Sequence, residues 1–146
     1  MKVSAKGRYG LVAMTYLAQN HGSGMPITIK TLSKKLGISK IYLEQVFSLL
    51  KRAKLVESVK GAQGGYFLIA KPADITVYKI LSAIEMTLME DTVSASKIPE
   101  MNAAINKCLY EPLDKIVTEL FQSITLEDII SEVEKEFDAA SMMYYI

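Results

Sequence analysis

Apolar residues recur three and four apart at the front of the chain. Tyr9, Val12, Ala13, Tyr16 and Leu17 form one stripe, and Ser4 stands where a cap is needed. The spacing predicts a helix from Ser4 to about Asn20, broken by HGSGMP at 21–26. Thr28 predicts the cap of a short second helix with Ile29, Leu32 and Leu36 on one face. Gly37 supplies a left-handed stop, and Ser39 caps a third helix running to about Lys54. Two helices joined by so short a glycine turn read as a helix-turn-helix.

At 100° per residue the third helix sorts into two faces. Leu43, Val46, Leu50 and Ala53 fall together and are expected in the core. Lys40, Ile41, Glu44, Gln45, Ser48, Lys51 and Arg52 fall opposite. That face mixes amide, hydroxyl, charge and one isoleucine. A glutamine can pair with adenine, a glutamate can accept from a cytosine amino group, and Ile41 can rest on a thymine methyl. By itself the same face also fits plain solvation. VESVK (56–60) then alternates apolar and polar, GAQGG (61–65) is a glycine tip, and YFLIA (66–70) is a second β-rich run. This predicts a hairpin with Lys60 at its base. The order of parts gives the expected fold class: mainly α with a small β-hairpin wing, a winged helix-turn-helix. The small tip residues let backbone approach a minor groove.

Thr76 predicts the cap of a fourth helix through about Thr87, and 89–99 reads as a loop. Met101, Ile105, Cys108, Leu109, Leu113, Ile116, Leu120 and Ile124 then sit three or four apart. They predict a helix roughly 35 Å long, with a stripe too long for so small a winged part to cover. It is read as a dimerisation seam, with Pro112 kinking or splitting it. Thr125 and Asp128 form a capping-box pattern for a last helix bearing Leu126, Ile129, Ile130, Val133 and Phe137. The expected organisation is a winged part over 1–71 and dimerisation and regulatory helices with a C-terminal tail over 72–146, in one compact unit.

Charge sharpens this picture. The net charge is +1, but residues 1–71 carry twelve Lys and Arg against two acids, a net of +10, and 72–146 carry −9. A basic half with a separate acidic half fits a nucleic-acid reader joined to an assembly or sensing part. Lys2, Lys6 and Arg8, at the start of a helix beside the reader, are phosphate candidates, as are Ser39 and Lys40 at the start of the third helix. No apolar run approaches a membrane span, no secretory pattern opens the chain, and one cysteine fits a reducing cytoplasm. No metal site and no cofactor are expected. His21, the one histidine, lies in a helix-end turn, and no phosphate-binding loop or nucleophile motif is present, so an enzyme is not expected.

MKVSAKGRYGL, ISKIYLEQVFSLLKRAKLVESVKGAQGGYFL, ITVYKILSAIE and SITLEDI together resemble the IscR/NsrR/CymR family of bacterial winged-helix regulators. The resemblance implies a cytoplasmic homodimer joined through the long helix and binding double-stranded DNA at palindromic operators. It places DNA contacts on Ile41, Tyr42, Glu44 and Gln45 of the third helix and on Lys60 and Gly61 of the wing. Many members hold an iron–sulfur cluster on three cysteines before the long helix. Residues 89–99 hold none, and Cys108 falls off the ligand pattern. Cys108 is therefore expected as a small buried group in the helix seam, a redox-responsive thiol being the alternative.

The cluster-less CymR branch, repressors of cysteine metabolism, is the most similar, and its members also end in an aromatic–isoleucine tail like MMYYI here. The likeness implies a partner, the cysteine synthase O-acetylserine thiol-lyase, which accepts a C-terminal isoleucine in its active site. Ile146 would enter that site, with Tyr144 and Tyr145 as the contact behind it. Two alternatives stay open: a redox or iron–sulfur regulator of the same family, and a protein-interaction subunit that gates an enzyme. A tail folded over the dimer's apolar seam is the simpler explanation of its stickiness.

Overall fold

The computed structural model describes residues 3–88, 90 and 92–144. Helix α1 (Ala5–Gln19) begins at Ser4, whose hydroxyl accepts from the Gly7 amide at 3.1 Å. A short 3-10 turn, His21–Ser23, ends that segment. Helix α2 (Ile29–Leu36) is capped by Thr28 and stopped by Gly37 at φ 68°. Helix α3 (Lys40–Arg52) is capped by Ser39. Each hydroxyl satisfies a first-turn amide that has no intrahelical partner. Strands β1 (Val56–Val59) and β2 (Gly65–Leu68) then pair antiparallel, Val56 opposite Leu68 and Val59 opposite Gly65. This is the expected winged helix-turn-helix in a mainly helical chain.

The hairpin has a further neighbour that alternation did not show. Ile27 bridges Tyr66, with amide-to-carbonyl distances of 2.9 and 2.8 Å. Gly65 makes this approach possible. Its φ is +138°, and a Cβ there would stand 2.4 Å from the Ile27 carbonyl carbon. The chain entering α2 is thereby tied to the wing.

The core is built by Met14, Leu17, Leu32, Leu43, Val46, Phe47, Leu50, Val56, Leu68 and Ile75, with Leu126 contributed from the far end of the chain. Phe47, fully buried, takes the place on α3 that Ala53 was expected to take. Ala53 is exposed because α3 ends at Arg52 and the backbone turns away, Lys54 adopting φ 60°.

Helix α4 (Val77–Ile84) is shorter than expected. It ends where Glu85 leaves helical geometry, and the Glu85 carboxylate accepts from the Ser4 amide at 2.7 Å. The acidic half joins the winged part through a second bridge. The Val77 amide donates to Ile124 and the Leu126 amide to Ile75, both at 2.9 Å. These bonds set the starts of α4 and of α7 (Leu126–Met143) side by side.

The long helix is neither straight nor broken by Pro112. Helix α5 (Pro99–Ile105) passes into a π-helical segment, Asn106–Tyr110, and then into α6 (Glu111–Ser123), with right-handed helical dihedrals at both joins. Pro112 lacks an N–H and its ring crowds the carbonyl four residues back, on Cys108. A wider turn accommodates both. It also realigns the stripe. Met101, Ile105, Leu109 and Leu113 are spaced by four, and each such step on an ideal helix drifts about 40°. Passing the drift through a wider turn holds the four nearer one line. All four are exposed, as are Ile116 and Leu120.

Helix α7 continues to Met143, so most of the expected tail is helical. Cys108, expected as a buried group, is exposed on this chain. Among the described residues no helix is long and apolar enough to cross a membrane.

Candidate nucleic-acid interface

The outer face of α3 is presented by the packing of its inner face. Because Leu43, Val46, Phe47 and Leu50 are buried to completeness, the rotation of the helix is determined, and Ile41, Glu44 and Gln45 must face outward. All three are exposed, Ile41 at 69%. Lys40 and Ser39 are exposed beside them, and the Ser39 hydroxyl accepts from the Tyr42 amide at 3.3 Å. The first turn of α3 holds no acid. Its amide-rich end therefore keeps the positive character that suits an anionic backbone.

Tyr42 is only partly free. Its ring meets Tyr9 of α1 edge to face, with centroids 5.6 Å apart. That contact brings the start of α1 against the start of α3. Lys6 and Arg8, exposed within one turn of Tyr9, are thus carried beside the reading face. Tyr9 was expected only as part of a core stripe. Its pairing with Tyr42 depends on how two helices cross, which spacing along one helix does not reveal.

The wing is positioned from two sides. Phe47 packs on Tyr66 with ring centroids 4.6 Å apart, and the Lys51 ammonium donates to the Ser58 hydroxyl at 2.7 Å. Lys51, placed on the outer face by periodicity, is thereby turned toward β1. Lys60 and Gly61 are exposed at the tip, Gly61 at φ 110°. Gly64 lies so close under Val59 that a Cβ there would meet its carbonyl oxygen, which keeps the tip thin.

None of the described cations in the winged part makes an ion pair; the salt bridge among the described residues joins Glu132 to Lys135 on α7. Unpaired ammonium and guanidinium groups leave the positive field of this half uncancelled. Lys2, Tyr145 and Ile146 lie outside the described residues. Tyr144 caps α7 and is exposed, on an element apart from α1, α3 and the hairpin.

Comparison with known proteins agrees with this geometry. The model of the Rrf2 family, described as an iron-dependent transcriptional regulator, matches residues 3–132. The HTH-type transcriptional regulator CymR of Bacillus subtilis is 38% identical over 146 residues, all of both chains. The solved structure of the CymR global cysteine regulator of B. subtilis superposes with a TM-score of 0.76 at 37% identity, covering 90% of this chain and 98% of that one. The IscR structure from T. potens gives 0.74 at 37% identity, covering 93% and 90%.

The iron in the family's description finds no matching donors here. The sequence holds one cysteine and one histidine, and no cluster of three His, Cys, Asp or Glu able to hold a metal occurs among the described residues. A thiolate-held cluster needs about four such ligands from its protein.

Proposed function

The chain belongs to the Rrf2 family of transcriptional regulators, and from that premise we propose that it is a homodimeric repressor reading a palindromic operator. The observation that carries the reading is the outward face of α3, with Ile41, Glu44 and Gln45 exposed beside cations that have no carboxylate partner. Gln45 and Glu44 read base edges, and Ile41 contacts a thymine methyl. Tyr42, Ser39, Lys40, Lys6 and Arg8 hold phosphates, with Lys60 and Gly61 at the minor groove. The exposed stripe of α5 and α6 joins two copies, placing the reading helices about one DNA turn, roughly 34 Å, apart. Residues 1–71 form the reading part and 72–146 the dimerising part.

The regulated genes are those of cysteine and sulfur metabolism, a reading supported by full-length similarity to a protein described as a global cysteine regulator. Its signal comes through the C-terminus, where a cysteine synthase takes Ile146 into its active site. Tyr144, exposed at the end of α7, fits a contact there. The terminal carboxylate and isoleucine side chain offer the anion and the apolar group that such a site binds.

Binding of the purified protein to fragmented host DNA tests both layers. Enrichment of promoters of sulfur-assimilation genes supports the full reading. Enrichment of unrelated promoters leaves a repressor with other targets, and absence of enrichment removes DNA reading altogether. A chain lacking Ile146 that captures the synthase as well as the full chain removes the tail mechanism.

A further inference from the structure

Ser82 Oγ is buried without a hydrogen-bond partner, the single such side-chain atom among the described residues. Buried hydroxyls in folded proteins are nearly always paired, so an orphan marks a place where a partner is missing. Ser82 lines a cavity of about 420 Å³, where the end of α3, the base of the hairpin and α4 meet.

The other walls say what that partner is. Leu55 and Ile75 give an apolar surface, and Lys54 and Lys79 bring two cations against one carboxylate, Asp74. Neither lysine is ion-paired among the described residues; the Lys79 ammonium donates to the Asp74 carbonyl at 2.8 Å. Lys54 keeps φ 60°, a conformation uncommon for a residue with a side chain and met at ligand clamps. An apolar wall with a net positive rim and a donor hydroxyl suits an anion carrying a hydrocarbon body.

We propose that this cavity binds a small aliphatic carboxylate. The carboxylate lies between Lys54 and Lys79 and accepts the Ser82 hydroxyl, and the hydrocarbon rests on Leu55 and Ile75. Lys54 and Leu55 connect α3 to β1, so an occupant acts on the angle between the reading helix and the wing. The proposal uses none of the DNA-reading residues and stands apart from the operator reading.

The test is a titration of the full-length, nitrogen-labelled protein with isovalerate, and in parallel with inorganic sulfate, followed by amide NMR. Saturable shifts at Lys54, Leu55 and Ser82 are expected with isovalerate, with a Kd of about 1 mM. Sulfate, which has the charge without the hydrocarbon, leaves those amides unsaturated. Ser82→Ala, which removes an unpaired hydroxyl and should fold, weakens isovalerate about tenfold, as does Lys79→Gln. Equal response to sulfate, no saturation with isovalerate, or an unchanged response in both variants overturns the proposal.

Discussion

Gln45 has nothing to do for the fold. Its side chain is exposed, and the inner face of α3 is filled without it. A residue so placed can be replaced without structural cost, which isolates its role in recognition. Gln45→Ala should lower discrimination at one base step per half-site by about 1–3 kcal/mol and leave binding to random DNA unchanged. Competition of operator against random duplex measures it, and equal losses on both would remove Gln45 as a base reader. Gly65 is the opposite case. Both its φ and the Ile27 backbone pressed against it exclude a side chain. Gly65→Ala should therefore destabilise by more than about 1 kcal/mol in denaturant unfolding. It should also expose the Ile27 and Tyr66 amides to hydrogen exchange. Unchanged protection there would mean that the bridge does not depend on the glycine.

At the scale of elements, the start of α7 is the most completely specified terminus. The Thr125 hydroxyl accepts from the Asp128 amide at 3.1 Å, and the Asp128 carboxylate accepts from the Thr125 amide at 2.9 Å. That backbone bond, and after it the Thr125 side chain, holds Asp128 below the usual carboxylate range. A depressed folded value contributes stability that is present above the unfolded value of about 3.9 and lost as pH falls through the folded one. Asp128→Asn should lower the denaturation midpoint at neutral pH and flatten its fall between about pH 5 and pH 2. An equally steep acid limb in the variant would show that Asp128 is not its source. Because Leu126 sits in the common core, a loosened α7 start should also loosen the joint with α4. The end of α7 shows how an element can be misread at its border. SMMYYI looks like a sticky tail because it is uncharged, yet an uncharged run continues a helix as well as a charged one does, and α7 runs through Met143.

At the scale of the molecule, the exposed stripe on α5 and α6 has no cover within this chain. Ile116 is 64% exposed and Leu120 53%. Contiguous apolar surface of this kind marks a protein interface. Ile116→Glu should convert the dimer to a monomer in sedimentation equilibrium. Operator affinity should fall at least about a hundredfold, since each half-site is then held alone. A variant that stays dimeric would move the seam elsewhere, to the exposed end of α7 around Phe137.

Several features could be read from residues alone because their causes are local. Ser4, Thr28, Ser39, Thr76 and Thr125 cap helices through hydrogen bonds that reach three residues, and all five do so here. Gly37 stops α2 because few other residues adopt its φ. The outward placement of Ile41, Glu44 and Gln45 followed from a 100° rotation per residue. What tertiary structure alone decided involves partners far apart in the chain. The bridge from Ile27 to Tyr66, the edge contact of Tyr9 with Tyr42 and the hold of Glu85 on Ser4 are such cases. So is the wide turn that carries the seam past Pro112, because the cost of the proline could be met by a kink, a break or a wider turn. Periodicity along one element says which face is apolar; only the packing of elements against one another says what that face meets and how its backbone yields to meet it.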